Sequence, residues 1–311
     1  MFIAMGSVIA GLVLLAGAGE VFVRSAITVA SRLNISPMAI GLTIVAFGTS
    51  LPELMVSLQA VTSGQSDIAV GNVVGSNIAN VLLVLGAAAV ISPFVCDLQT
   101  IRRDGAFMIG ATLFLVGISF LGDVPRSFGI GMLLILGIIV FVQVRSGDEP
   151  EVEDVEHVLP GGLILNVPLM IIALGGVVWG ADLLIIGAVD IATFIGVSEA
   201  VIGLTVVAVG TSLPELVVSI IAALRGHAAV AVGNVIGSNI FNILLILGAA
   251  AAIGPLSISA EIAGRDIWVM LASSAVMLYF LRSGAFLSRR EGLIAVGLYL
   301  CYNLYLFNTI S

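Results

Sequence analysis

Hydrophobic residues occur in ten long runs separated by short polar segments. Each run has roughly the 20 apolar residues that a helix needs to cross the hydrocarbon core of a bilayer. The pattern therefore predicts an all-α membrane protein with ten transmembrane helices. The predicted spans lie roughly at 2–24, 37–61, 67–91, 104–121, 126–144, 162–186, 198–223, 228–253, 264–282 and 291–308.

The chain contains an internal repeat. Residues 36–86 and 198–248 align without a gap at a constant offset of 162, and 32 of the 51 positions are identical. Each half holds five predicted spans, and five is odd, so the second half enters the membrane in the opposite orientation. Two inverted five-helix repeats place a substrate site near the midplane of the bilayer, at the interface between them. We predict repeats at 1–144 and 162–311, joined by an acidic cytoplasmic linker at 145–161.

Composition and charge agree with a multi-pass membrane protein. Hydrophobic residues make up 60% of the chain and charged residues 10%, whereas soluble domains carry about 25% charged residues. If the ten spans alternate, nine of the eleven arginines fall on one side, which marks that side as cytoplasmic. Both termini are then extracytoplasmic, and we expect the plasma membrane as location. Partners are ions and the lipid bilayer, with no nucleic acid.

Other polar features receive a structural interpretation. Much of the net charge of −8 lies in the acidic stretch 148–156, which we interpret as a solvated connector, with a regulatory Ca²⁺ site as the alternative. Cys96 and Cys301 lie far apart in hydrophobic surroundings and are interpreted as packed thiols.

Two acids carry the strongest functional signal. Glu53 and Glu215 are repeat equivalents inside predicted spans, where a carboxylate is costly and usually functional. The alternative is a protonated acid that only fixes packing. Thr49 and Thr211 lie four residues before the acids, and therefore on the same helical face. Proline directly before each acid predicts a broken helix, with carbonyl oxygens freed towards protein, water or an ion.

The next span of each half adds a polar stripe at intervals of four residues. It contains Asn72, Ser76 and Asn80 in the first half, and Asn234, Ser238 and Asn242 in the second. We expect each stripe to face the acidic motif, with hydrogen bonding between helices as the alternative. The glycines at 71, 75, 233 and 237 have the spacing that lets helices approach closely. Carboxylate, hydroxyl, amide and carbonyl oxygens suit Ca²⁺, or several Na⁺.

The two halves share the blocks GTSLPEL at 48–54 and 210–216, followed by GNVVGSNI at 71–78 and GNVIGSNI at 233–240. These paired motifs resemble the α-repeats of the cation/Ca²⁺ antiporter superfamily, most closely those of compact prokaryotic Na⁺/Ca²⁺ exchangers. The resemblance implies four clustered cation sites and a pair of gating helices, spans one and six, that slides across the other eight. The ligands that it implies are Glu53, Glu215, Thr49, Ser50, Thr211, Ser212, Ser76, Ser238, Asn80 and Asn242, with the carbonyls of Ala46 and Ala208.

Two details of the motifs bear on coupling. Asn80 and Asn242 are both amides, which resembles K⁺-independent exchangers. The stretch 71–75 carries no acid, unlike the H⁺/Ca²⁺ branch, so Na⁺ is favoured as counter-ion. Glu20 and Asp182 are interpreted as surface or gate charges at the ends of the gating pair.

The sequence therefore predicts a secondary active antiporter that exchanges Na⁺ for Ca²⁺ by alternating access. It would work as a monomer, without a cofactor and without enzymatic activity. An H⁺/Ca²⁺ antiporter is the first alternative. A cation channel would need a symmetric pore, and an intramembrane protease would use the two acids as a catalytic dyad.

Overall fold

The structure is a computed structural model, and it describes residues 1–95, 97–145, 159–196 and 210–310. The helices of the first half are α1 (Phe2–Leu33), α2 (Pro37–Thr49), α3 (Leu51–Thr62), α4 (Ser66–Ile91), α5 (Leu98–Ser119) and α6 (Arg126–Arg145). Those described in the second half are α7 (Gly162–Phe194), α8 (Leu213–Leu224), α9 (Ala228–Ile253), α10 (Ile262–Arg282) and α11 (Arg289–Ile310).

By length and composition, seven helices in the described part of the chain can cross a membrane. The count is eight if α2 and α3, bent by 45° at Ser50, form one broken span. Two other predicted spans correspond to α5, whose first turns contain Arg102, Arg103 and Asp104, and to α8, which has only 12 residues. Residues 197–209, which precede α8 and the three residues before it, lie outside the described part. The chain is thus an all-helical membrane protein, with ten spans remaining a prediction.

Several helices extend beyond their predicted ends. Helix α1 continues to Leu33, where Asn34 ends it in the left-handed conformation, and α7 continues to Phe194. In α1, residues 25–30 are all buried, so this part of the helix is held by contacts within the protein. The linker 145–161 lies mostly outside the described residues, as does Cys96. The expected burial of Cys301 is wrong, because its side chain is exposed on the outer face of α11.

Four two-residue strands join loops from the two halves. Strand β1 (Phe94–Val95) pairs antiparallel with β4 (Phe286–Leu287), and β2 (Asp123–Val124) pairs with β3 (Leu256–Ser257). Strands of two residues are too short to produce an alternating pattern, so the hydrophobic periodicity did not predict them. Each pairing fixes a loop of one half against a loop of the other.

Helices α4 and α9 form the centre of the molecule. In an apolar stretch of 18 residues, 72% of α4 and 78% of α9 is buried, against 22% of α1 and 28% of α7. Both central helices contain a π-helical turn, which begins at Asn80 in α4 and at Asn242 in α9. Such turns are rare and occur frequently at functional sites. They therefore mark the two predicted amide ligands.

Helices α1 and α7 pack along each other through glycines. A Cβ atom at Gly11 would lie 2.8 Å from the carbonyl oxygen of Gly180, and one at Gly187 would lie 2.6 Å from that of Ala4. Small residues allow this close approach in a membrane protein. The hydrophobic side chains of the pair form a cluster separate from the main core, together with residues of α2, α8 and α9. The pair is therefore a peripheral unit.

Candidate ion-binding site

The break in the first motif lies directly before its acid. Ser50 has φ −84° and ψ 5°, and α3 begins at the next residue with Pro52 in its first turn. The second motif repeats this geometry, since Ser212 has φ −86° and ψ 5° before α8. Proline is tolerated in the first turn of a helix, because its missing N–H would have no partner within the helix in any case. It cannot continue the helix that precedes it. Each acid therefore lies in the first turn of a new helix.

The two acids meet in the interior of the protein. Glu53 and Glu215 are both fully buried, and they are near enough for their charges to repel each other. The hydroxyl of Ser50, from the first motif, donates a hydrogen bond of 3.2 Å to Oε1 of Glu215, from the second. The Thr211 hydroxyl faces the Glu53 carboxylate. Each motif thus contributes oxygen atoms around the acid of the other.

Thr49 connects the first motif to the stripe on α9. Its Oγ1 donates to Oδ1 of Asn234 at 3.1 Å and lies 3.5 Å from Oγ of Ser238. Ser238 also faces the carboxylate of Glu215. The carbonyl oxygen of Ala46, a predicted ligand, accepts hydrogen bonds from Thr49 Oγ1 at 3.4 Å and from the Ser50 nitrogen at 3.1 Å. Ala208, its counterpart, lies outside the described residues.

Asn72 and Asn234 support the acidic helices. The amide nitrogen of Asn72 donates to the Glu53 carbonyl at 3.2 Å and to Ser57 Oγ at 2.9 Å. In the second half, Asn234 bonds to the Glu215 carbonyl at 3.4 Å and to Ser219 Oγ at 3.0 Å. These contacts agree with the alternative of hydrogen bonding between helices for both residues. The repeat in sequence is therefore also a repeat in contacts.

Several buried oxygens of the site have no hydrogen-bond partner among the described residues. They are both carboxylate oxygens of Glu53, Oε2 of Glu215, the Ser212 hydroxyl, Oδ1 of Asn80 and Oδ1 of Asn242. A buried polar atom without a partner is costly and requires an explanation. Oxygens that converge on two carboxylates are the donor set of a hard cation such as Ca²⁺ or Na⁺. The residues present therefore fit a cation.

Ser76 and the motif glycines are the remaining predicted features. Ser76 is buried and lines a cavity of about 600 Å³ together with Gly71 and Gly75, and none of the hydrogen bonds to the acids described above involves it. The expected close helix approach is confirmed at Gly233 and Gly237, where a Cβ would lie 2.6 Å and 2.5 Å from backbone oxygens of α2. For Gly71 and Gly75 the equivalent partners, between residues 200 and 208, lie outside the described residues.

The interpretation of Glu20 as a surface charge agrees with its contacts. Its carboxylate accepts hydrogen bonds from Arg225, with 2.9 Å between Oε1 and Nη2, at the end of α8. It also lies 3.9 Å from Arg24. Asp182 is exposed on α7. Asn77 and Asn239 are buried next to the site and were not among the predicted ligands, although both lie within the repeated motif.

Comparison with known proteins places this geometry in a family. The family described as sodium/calcium exchanger protein matches residues 3–145 and 165–308. The chain is 41% identical over 328 residues to the putative antiporter CaxA of Alkalimonas amylolytica, covering 99% of this chain and 100% of that protein. It is 34% identical to the sodium/calcium exchanger MaX1 of Methanosarcina acetivorans, covering 96% of both chains.

Among solved structures, the sodium-calcium exchanger NCX_Mj soaked with zero Na⁺ and Ca²⁺ superposes with a TM-score of 0.85. It is 32% identical, and the match covers 96% of this chain and 97% of that one. Family and fold therefore agree over nearly the whole length, and the proteins that match are transporters rather than enzymes. The chain belongs to the sodium/calcium exchanger family.

Proposed function

We propose that the protein exchanges Na⁺ for Ca²⁺ across the plasma membrane, with Ca²⁺ held between Glu53 and Glu215. One observation carries the proposal: the Ser50 hydroxyl of the first motif bonds to Glu215 of the second, and both residues are buried. Membership of the family supports exchange of cations against Ca²⁺. NCX_Mj, which has the same fold, was soaked with Na⁺ together with Ca²⁺ or Sr²⁺, and these ions agree with the proposed substrates.

The donor set favours this pair of ions. Ca²⁺ takes six to eight oxygen ligands in loose geometry, and two carboxylates balance its charge. In the described part of the chain no three His, Cys, Asp or Glu side chains cluster together, so the other donors are neutral oxygens. Several Na⁺ can occupy the same oxygens in place of one Ca²⁺. The proposed ligands are the ten side chains and two carbonyls, of Ala46 and Ala208, that the family resemblance implies.

Alternating access follows from the cost of buried charge. When the site is empty, the two carboxylates face each other in a dry interior, and an uncompensated buried charge is strongly destabilising. Bound cations neutralise the two carboxylates and so remove this energetic cost. The site can then open alternately to the two sides of the membrane. The α1–α7 pair is the moving part in this proposal, because its hydrophobic cluster is separate from the main core. Glu20 and Arg225 join the pair to α8.

Ten spans with inverted halves are supported by the contacts between loops. Alternation would put the loops that carry β1 and β4 on the cytoplasmic side, and those that carry β2 and β3 outside, and the strands pair in these combinations. The Glu20–Arg225 ion pair also joins two ends that alternation places in the cytoplasm. Both termini are then extracytoplasmic. Repeats at 1–144 and 162–311 with a linker at 145–161 remain part of this proposal.

Coupling to Na⁺ without K⁺ rests on the two amides. Asn80 and Asn242 offer neutral oxygens, so the site carries two formal charges rather than three. A monomer is sufficient in this proposal, since both acids and all the contacts described above come from a single chain.

The proposal is tested with purified protein in liposomes. We expect ⁴⁵Ca²⁺ uptake when the liposomes contain Na⁺ and no uptake when they contain only K⁺ or choline. Uptake that needs no internal Na⁺ would indicate a channel, and uptake driven only by a proton gradient would indicate the H⁺/Ca²⁺ alternative. Glu53→Gln and Glu215→Gln should each abolish uptake. The exposed Glu261 provides the matched control, and Glu261→Gln should keep the wild-type rate.

A further inference from the structure

Two buried asparagines lie beside the proposed site. Asn77 on α4 and Asn239 on α9 are repeat equivalents, and each is 1% exposed. The amide nitrogen of Asn77 lies 3.6 Å from the sulfur of Met270, and that of Asn239 lies 3.5 Å from the sulfur of Met108. The two methionines are also repeat equivalents. A buried amide needs strong partners for its nitrogen and its oxygen, and sulfur is a weak acceptor.

The remaining contacts of Asn77 fix the direction of its amide. Its Nδ2 donates to the backbone carbonyl of Asn239 at 3.3 Å. A carbonyl can only accept, so the nitrogen of Asn77 must face it and the oxygen must face the other way. That oxygen accepts a hydrogen bond of 3.0 Å from Nδ2 of Asn242. The orientation of the Asn242 amide is thereby fixed as well, because its nitrogen must face Asn77. Both assignments start from the backbone carbonyl of Asn239, which can only accept a hydrogen bond.

We infer that Asn77 is a positioning residue, which holds the Asn242 amide so that its oxygen is presented to the transported ion. The inference rests on the proposed function, in which Asn242 is a ligand. The Oδ1 atom of Asn242 is buried and accepts no hydrogen bond from the described residues. Its nitrogen, which would repel a cation, is turned away and bound to Asn77. The ligand is therefore oriented before the ion arrives, which reduces the cost of binding.

The first half lacks the corresponding contact. Both amide atoms of Asn80, and Oδ1 of Asn239, have no partner among the described residues. Identical motif residues thus give one amide that is held and one that is free to turn towards an ion. The contact also distinguishes an amide from a carboxylate at position 242. An aspartate at position 242 would place a carboxylate oxygen next to Oδ1 of Asn77. The Asn77 amide would then have to flip, and it would lose its hydrogen bond to the carbonyl of Asn239.

Asn77→Leu tests the inference, because leucine keeps about the same volume but offers no acceptor. Loss of one buried hydrogen bond should raise the half-saturating Ca²⁺ concentration for Na⁺-driven uptake roughly two- to tenfold, with the rate per folded molecule at saturating Ca²⁺ unchanged. Asn239→Leu is the matched control and should leave the half-saturating concentration at the wild-type value. A merely structural role for Asn77 would reduce the amount of folded protein without moving this concentration, and would overturn the inference.

A double-mutant cycle checks the contact itself. The effect of Asn242→Asp on the half-saturating concentration should differ roughly two- to tenfold between wild type and the Asn77→Leu background. The matched cycle of Asn80→Asp with Asn239→Leu should be additive. Equal effects in both backgrounds of the first cycle would overturn the inference.

Variants that fold poorly still give an answer, since a half-saturating concentration does not depend on the amount of active protein, and Asn77→Ala serves as a second variant. The proposed function fails in a different way. In that case the unmodified protein shows no Na⁺-driven Ca²⁺ uptake, whereas failure of this inference leaves that uptake intact with Asn77→Leu at the wild-type half-saturating concentration.

Discussion

Replacing Gly237 with alanine adds a methyl group where α2 packs on α9. The new Cβ would lie 2.5 Å from the carbonyl oxygen of Leu42 and 2.7 Å from Cβ of Ala46. Ordinary contact begins at 3.4 Å, so the backbones must separate by the difference, about 0.9 Å. The 3.1 Å hydrogen bond from Thr49 to Asn234 would then stretch to about 4 Å, beyond hydrogen-bonding distance.

Overpacking of this kind costs about 1–3 kcal/mol. If the cost falls on the ion-bound form, the half-saturating Ca²⁺ concentration rises between about fivefold and about a hundredfold. The assay is ⁴⁵Ca²⁺ uptake into Na⁺-loaded liposomes over a range of external Ca²⁺. The control is Gly110→Ala on the exposed face of α5, where a Cβ meets no atom of the described residues within 4 Å.

The outcome is decided by the difference between the two variants. We expect Gly237→Ala to be impaired and Gly110→Ala to remain near wild type. Equal loss in both variants would show that the loss does not arise from the contact with α2. Full activity of Gly237→Ala would refute the view that the position of Thr49 depends on close packing against α9.

Two further substitutions follow from the hydrogen bonds and charges around the site. Asn234→Ala should lower the thermal unfolding midpoint and the Ca²⁺ affinity more than Asn72→Ala, because Asn234 also accepts a hydrogen bond from Thr49. The buried Thr49 hydroxyl would lose this partner, and an unpaired buried group costs about 1–3 kcal/mol. Equal effects of the two variants would contradict this reasoning. Arg225→Gln should change unfolding stability by about 1 kcal/mol or less, since its side chain is 51% exposed at the ion pair with Glu20, and a complete loss of folded protein in a thermal melt would be inconsistent with a surface role.

The parts of the site that could be predicted are those that repeat in the sequence. Glu53 and Glu215 are costly in an apolar span, and the offset of 162 pairs them, so the proposed inverted arrangement of the halves predicts their convergence. The break at Ser50 follows from Pro52 two residues later. Apolar run length located the helices, although it underestimated α1, which continues to Leu33 through residues 25–30 that are buried in the protein.

The parts that could not be predicted depend on differences between the two halves. Asn77 and Asn239 occupy the same motif position, and only their surroundings in three dimensions show that Asn77 holds Asn242 whereas Asn239 does not hold Asn80. A repeat in sequence predicts equal contacts, and asymmetry arises only when both copies pack into a single chain.

The central claim is that acids from both halves hold the same cation, and equilibrium ⁴⁵Ca²⁺ binding to the purified protein tests it most directly. A shared site requires both carboxylates, so Glu53→Gln and Glu215→Gln should each remove all high-affinity binding, whereas Glu261→Gln should bind as much Ca²⁺ as wild type. If each single variant instead kept half of the wild-type binding, the two acids would serve separate sites and the account would be wrong.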